Sequence, residues 1–446
     1  MPTPSAEVRV LHDAVCTACG LLCDDITLTV SDDRIIEANR ACHRGRSWFL
    51  ADYQVADLPP ASVDGNVVSV AEAIDRAASL LANASAPVLT GLTSATLESQ
   101  SLSARLADRI GATISPNQTQ EATPRILAIQ RAGATLASFG EVMHRANVIL
   151  LWGVDPAETH PRLRERLIDP PGRFVPEGRA GRTVLVVDAG TSECRTWADE
   201  AIAVTMGRHS EAIQALRAAV RGVAADLVRL EQHTGSPVQR WQSWANLLRT
   251  ARYGAIIFGA ELTREGASAI EALMRLIDDL NTITRCVAVP LAGPGNPAGA
   301  EAILTGRLGA PVSVDLADGI ARYRPFDADP ELRLRSGEAD ALLVVGEFQK
   351  ESASNRPEGL PTILVGPNAT DRSAPGVVAL ATAIPGIDDG GIFCRSDEVT
   401  LPLRPVIAPR LPSMNEVLAR LLEHCESRAQ GSCPSRPLSA GAHDAG

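Results

Sequence analysis

Residues 148–153 read VILLWG, apolar without alternation and closed by glycine. A strand with one wet face alternates apolar and polar residues, so a run apolar on both faces belongs in a sheet covered on both sides. The same reading extends outward to PVLTGL (87–92), TVLVVD (183–188), YGAIIFG (253–259), CVAVPL (286–291), ALLVVG (341–346) and TILVG (362–366). Most are flanked by helical stretches, such as SVAEAIDRAASLLANA (69–84) with Ser69 as its cap. Short buried strands alternating with helices build parallel sheets, so the fold class is α/β with two Rossmann-like units. At 446 residues the chain is too long for one ordinary core.

The start of the chain reads differently. AEVRVLHDAVC (6–16) and DDITLTVSDDRIIEANRAC (24–42) alternate around an SDDR turn, as short antiparallel strands do. They carry CTACGLLCDDI (16–26) and a later ACHRGRSW, which place Cys16, Cys19, Cys23 and Cys42 in a C-x2-C-x3-C-x18-C pattern. DLPPASVDG (57–65) then punctuates the chain. With no basic region followed by an apolar run at the N-terminus and no apolar stretch of membrane-spanning length, the expectation is a cytoplasmic protein. Thiols stay reduced there, so four clustered cysteines read as metal or cluster ligands, not disulfides. Three ligands from one loop and one from afar favour a [4Fe-4S] cluster over zinc, with an empty site as the third possibility. Cys194, Cys286, Cys394, Cys425 and Cys433 are scattered singly and carry no assigned role.

Composition excludes several functions. The net charge of −11, without a basic stripe, argues against nucleic acid. A phosphate-binding G-x-x-x-x-G-K-[ST] loop is absent, and Schiff-base chemistry would rest on Lys350, the one lysine of the chain. Asp155, Glu158 and His160 in GVDPAETHPR can be drawn as an acid–base group, but Asp-Pro and His-Pro after a strand end are turn formers. Asp188 closes TVLVVD without a preceding G-x-G-x-x-G loop and reads as a strand-terminal cap.

Several motifs in order carry a resemblance. CTACGLLCDDITL with NRACHRGRSWF, GEVMHRANVILLWGVDPAETHPR, TVLVVDAGTSECRTWAD and the long segment 287–327 resemble the B subunit of formylmethanofuran dehydrogenase, a branch of the molybdopterin oxidoreductases, from about residue 12 to residue 410. The resemblance implies a molybdopterin oxidoreductase-like fold divided as 1–58 (cysteine unit), 59–138 with 335–412 (first α/β unit), 139–334 (second α/β unit) and 413–446 (C-terminal helix and disordered tail). Family members hold tungsten or molybdenum by a Cys, usually followed by His, just before a P-x-x-L-A-x-Q helix. Here that helix begins PRILAIQ at Pro124, no Cys or His lies between His43 and His144, and Glu121 and Ala122 stand at the ligand place. Members also carry an Arg and a His in an R-G-H-Y-N segment, where this chain has Ala292 and Pro294.

These departures resemble, more closely still, the B subunit of the formyltransferase/hydrolase complex of one-carbon-oxidising bacteria. That resemblance implies the A, C and D subunits as partners, with hydrolysis on the A subunit and formyl transfer on the D subunit, in tetrahydromethanopterin-linked formation of formate from formaldehyde. The implied role is a non-redox structural subunit with no catalytic residue of its own and no molybdopterin or tungstopterin. The alternatives are an active molybdenum or tungsten dehydrogenase subunit and a free-standing four-cysteine metal-binding module.

Overall fold

A computed structural model of the chain describes residues 8–51, 59–117, 119–223, 231–232, 235–346, 357 and 359–431. Lys350, Cys433 and the tail beyond 431 lie outside the described residues, as does the side chain of Glu121.

The cysteine unit is a three-stranded antiparallel sheet of Val8–Ala14, Ile26–Ser31 and Arg34–Asn39. Its second hairpin pairs Ser31 with Arg34 around Asp32 (φ 51°) and Asp33 (φ 54°). Two consecutive residues with positive φ make the turn whose twist matches that of the strands it joins. Ile26, Leu28 and Val30 point inward and are fully buried. They share one apolar cluster with Ile149, Leu151, Val184 and Val186, so the small sheet is packed on the second α/β unit.

That second unit has five parallel strands in the spatial order Glu200–Ala203, Thr183–Asp188, Val148–Trp152, Gly254–Phe258, Cys286–Pro290. In chain order this is 3-2-1-4-5, the Rossmann arrangement, with its switch point between Val148–Trp152 and Gly254–Phe258. The first unit has a nine-stranded sheet whose parallel centre runs Thr113–Ile114, Pro87–Gly91, Ala341–Val345, Thr362–Gly366, Val377–Ala381. Its order is 2-1-3-4-5, with the switch between Pro87–Gly91 and Ala341–Val345. Antiparallel strands close both edges, Ala61–Val63 on one side and Val314–Asp315 with Arg322–Tyr323 on the other.

All seven apolar runs are strands, and the fold class read from them holds. Ser69 caps its helix, accepting from the Glu72 amide at 3.2 Å. The unit boundaries differ: Ala128, in the stretch 59–138 read as the first unit, packs in the core of the second, and Ala300 and Leu304, in the stretch 139–334 read as the second, pack in the core of the first. The hairpin at 314–323 falls in the stretch 139–334 read as the second unit, yet it is bonded to Thr113–Ile114 of the first sheet. Pairing of two-residue strands rests on backbone hydrogen bonds and leaves no periodicity in the sequence to read. Among the described residues, no helix is long and apolar enough to cross a membrane.

Candidate functional site

The cysteine loop is a tight reversal. The Cys16 amide donates to the Cys23 carbonyl at 2.8 Å and the Leu22 amide to that of Cys19 at 3.2 Å. Cys42 arrives from the other side as the residue that opens the helix His43–Phe49. Gly45 on that helix lies close to the sulfurs: a Cβ there would meet Cys16 Sγ at 3.1 Å, tighter than most such contacts, and Cys42 Sγ at 3.9 Å. Cys16, Cys19 and Cys23 are only 5–6% exposed. Burial pushes all three thiols up, Cys23 to about 12, although Arg166 and Arg162 oppose the rise at Cys23 and Arg44 opposes it at Cys19. Cys42 stands near enough to Cys16 and Cys19 to act on both electrostatically. The structure thus brings the four cysteines of the motif into one neighbourhood. Among the described residues, no three His, Cys, Asp or Glu side chains are placed to hold a metal ion.

The loop is docked at its tip and at its exit. A Cβ on Gly20 would lie 2.1 Å from Ser396 Oγ and 2.6 Å from the Ala292 carbonyl oxygen, so only glycine lets the tip reach these segments. Gly20→Ala is therefore expected to destabilise the protein by about 3 kcal/mol, in the upper range for overpacking because a main-chain oxygen cannot move aside. Chemical denaturation combined with alkylation of the cysteines checks it; wild-type stability with cysteines still protected would mean the tip can shift without loss. At the exit, Asp25 accepts from both Arg162 Nη atoms, at 2.6 and 2.7 Å.

Two cavities flank this loop, and each opens at one of the topological switch points. The first, of about 1010 Å³, is lined by Ser94 and Gly346 beyond the switch strands of the first unit and by Thr17, His43 and Trp48 of the cysteine unit. The second, of about 990 Å³, is lined by Phe258 at the end of a switch strand of the second unit, by Val154 and Gly259 just beyond the two switch strands and by Cys19. Ligand crevices of doubly wound sheets form at such places. Arg44 and Pro294 line both cavities. The Nε of Arg44 is buried without a hydrogen-bond partner. The sequence reading missed Arg44, for which the only signal is its place two residues after Cys42.

The acid–base group drawn from GVDPAETHPR is not assembled as one. Asp155 accepts from the amides of Ala157, Glu193 and Cys194 and is a local cap. Glu158 is exposed. His160 is 4% exposed, and burial lowers its pKa to about 4, so the ring is neutral at pH 7. Its Nε2 lies 3.0 Å from the Ala292 carbonyl oxygen and its Nδ1 2.9 Å from Thr159 Oγ1. Nε2 therefore carries the proton, and the ring clamps two segments of the cavity wall. Asp188, fully buried, accepts from the Gly190 and Ser192 amides and from Arg195, as a strand-terminal cap does. Ala122, Ala292 and Pro294 all line the second cavity.

Two switch-point cavities meeting at one cysteine loop define a two-unit α/β protein of molybdopterin oxidoreductase-like architecture. Acetylene hydratase from Pelobacter acetylenicus shares this fold with a TM-score of 0.64 at 12% identity, over 93% of this chain and 69% of that one. A chain of the formyltransferase/hydrolase complex (FhcABCD) from Methylorubrum extorquens, solved with methylofuran, matches at a TM-score of 0.70 and 25% identity, over 83% of this chain and 99% of its own. In sequence, the chain is 29% identical over 415 residues to the B subunit of the tungsten-containing formylmethanofuran dehydrogenase 2 of Methanocaldococcus jannaschii, covering 90% of this chain and 95% of that protein. It is 27% identical over 373 residues to the B subunit of the Fhc complex of Methylorubrum extorquens, covering 82% and 97%. No protein-family profile matches the chain. The resemblance to the B subunits of formylmethanofuran dehydrogenase and of Fhc read from the motifs thus extends over most of the chain, in sequence and in fold.

Proposed function

We propose that this chain is the B subunit of a cytoplasmic formyltransferase/hydrolase complex in tetrahydromethanopterin-linked one-carbon metabolism, assembled with A, C and D subunits and without redox chemistry of its own. The observation that carries the reading is the wall of the second cavity. Ala122, Ala292 and Pro294 line it where the resemblance calls for a metal-binding Cys or His, an Arg and a His. Of the ionisable donors that line it, Glu398 is a hard carboxylate and the others are committed elsewhere. His160 is engaged at both ring nitrogens, Glu301 is paired with Arg125 at 2.5 Å, Asp397 is paired with Arg395 at 2.6 Å, and Cys19 belongs to the cysteine loop. The resemblance gives the dithiolene-bound metal a soft thiolate ligand, which a hard carboxylate does not replace, so these residues do not fit a tungsten or molybdenum cofactor.

The cysteine loop does fit a [4Fe-4S] cluster. Four thiols converge, three of them in a shell closed to water, and Gly45 leaves room for the sulfurs of Cys16 and Cys42. A single zinc ion needs its donors about 2.3 Å away on all sides, whereas three thiols from one loop and a fourth from a distant segment suit a cluster, whose ligands attach at separate corners. With no redox metal beside it, such a cluster would act as a staple.

Metal analysis of the purified complex tests both parts. The expected result is about four irons per copy of this chain, with tungsten, molybdenum and pterin absent while formyl transfer and hydrolysis proceed. The tungsten-containing relatives support a second reading, an active dehydrogenase subunit, since they match a larger share of the chain than the B subunit of Fhc does. Stoichiometric pterin and tungsten in the complex would establish that reading and sink the first. A monomer that never associates with other subunits would favour the free-standing module.

A further inference from the structure

We propose that Arg162 and Arg166, carried by the second α/β unit, are positioning residues for the cluster held by the cysteine loop, fixing its Cys23 end through Asp24 and Asp25. This rests on the reading that the loop holds a cluster.

The two arginines flank and enter a short π-helical turn, Arg164–Ile168, that follows the His-Pro-Arg segment after the switch strand. Such turns recur where a helix must redirect side chains. Arg162 grips Asp25 in a two-pronged fork at 2.6 and 2.7 Å, and its remaining donors meet Glu165 at 3.0 and 2.6 Å. Arg166 bridges the neighbours, donating to Asp25 at 2.7 Å and to Asp24 at 2.6 Å. Arg40, from the end of the third strand of the small sheet, reaches Asp25 at 2.8 Å. An exposed ion pair holds little, but the Arg162 side chain is only 5% exposed and its geometry is bidentate, which is the arrangement that fixes direction as well as distance.

The place of this network in the chain gives it its role. Asp24 and Asp25 directly follow Cys23, so whatever holds the two carboxylates aims the backbone that presents the Cys23 sulfur. The other end of the loop is set by contacts of Gly20 with Ala292 and Ser396, which hold the tip and not the exit. The arginines also sit close enough to Cys23 to act on it electrostatically. Within the network three cations face three anions (Arg40, Arg162 and Arg166 against Asp24, Asp25 and Glu165), so loss of one arginine leaves an excess negative charge beside a negatively charged thiolate cluster. Groups that orient metal ligands from outside the coordination sphere are commonly worth 10–100-fold in metal retention.

The test uses the full chain, prepared anaerobically as wild type and as Arg162→Lys, Arg166→Gln, Arg166→Lys and Asp25→Asn. Iron per chain, the rate of iron loss to a chelator and the midpoint potential of the reductive bleaching are measured. Arg162→Lys, which keeps the charge and loses the fork, and Asp25→Asn are each expected to release iron at least about 10-fold faster. Arg166→Gln is expected to move the midpoint to a more negative potential, and Arg166→Lys to restore it, a charge-specific response that loosened packing would not give. Wild-type release rates in Arg162→Lys and Asp25→Asn, or an unmoved potential in Arg166→Gln with full iron, would overturn this proposal and leave the cluster assignment standing. Wild-type protein without iron would remove the assignment itself, and this proposal with it.

Discussion

Cys19→Ser is expected to abolish the cluster and to weaken assembly of the complex, while formyl transfer and hydrolysis by the partner subunits, measured on the fraction that still assembles, continue at the wild-type rate per complex. Cys19 is 6% exposed and lines the second cavity. A hydroxyl cannot replace a soft thiolate as an iron ligand, so one substitution removes a corner of the site. The cysteine unit has little core of its own, its apolar face being spent on contacts with the second unit. Metal binding offsets the entropy of ordering such a loop, and loss of the metal returns that entropy. Colourless, iron-free wild-type protein that assembles normally would show the four thiols to be relics. A fall in catalytic rate with assembly intact would show that this chain takes part in the chemistry after all.

Arg182→Met is expected to destabilise the second unit by about 4 kcal/mol. Arg182 is 3% exposed, and its guanidinium donates to four main-chain carbonyls: Ala146 at 3.2 Å, Ile168 at 2.6 Å, Pro170 at 2.7 Å and Met143 at 2.5 Å. These oxygens belong to two segments that no strand pairing ties together. Methionine fills much of the volume and satisfies none of them, and each buried acceptor left bare costs roughly 1–3 kcal/mol, part of which water recovers. Burial lowers the Arg182 pKa, but an arginine keeps its proton throughout the range in which the protein is folded. Trp152, Trp241 and Trp244 are fully buried in the core of this unit, so tryptophan fluorescence in urea reads its unfolding directly. A loss below about 1 kcal/mol would mean that water substitutes for the side chain.

The parallel strands were legible because burial on both faces leaves an unbroken apolar run, a local property that needs no knowledge of neighbours. The cysteine spacing was legible for a similar reason, since three cysteines of one loop lie close in the chain as well as in space. Asp188 as a cap and Asp155 as a turn former could be read from the residues beside them. What the chain did not disclose locally was the pairing of very short strands. Val314–Asp315 joins Thr113–Ile114 through backbone hydrogen bonds, and those are blind to side-chain identity.

The sequence by itself determined the class of fold, the four thiols and the absence of a Cys or His donor before the PRILAIQ helix. Only the tertiary structure decided that both switch points open onto the same loop, that His160 is a neutral clamp and not a base, and that Arg44 stands between two cavities. The Asp24–Asp25 pair likewise became the hinge of the site only when Arg162 and Arg166 were brought to it from 137 to 142 residues away. Periodicity and spacing report on a residue's surroundings within a turn or two of chain. The direction of a guanidinium, the closeness of a carbonyl to a glycine and the company of a buried imidazole depend on segments far apart in sequence, which meet only once both sheets are packed.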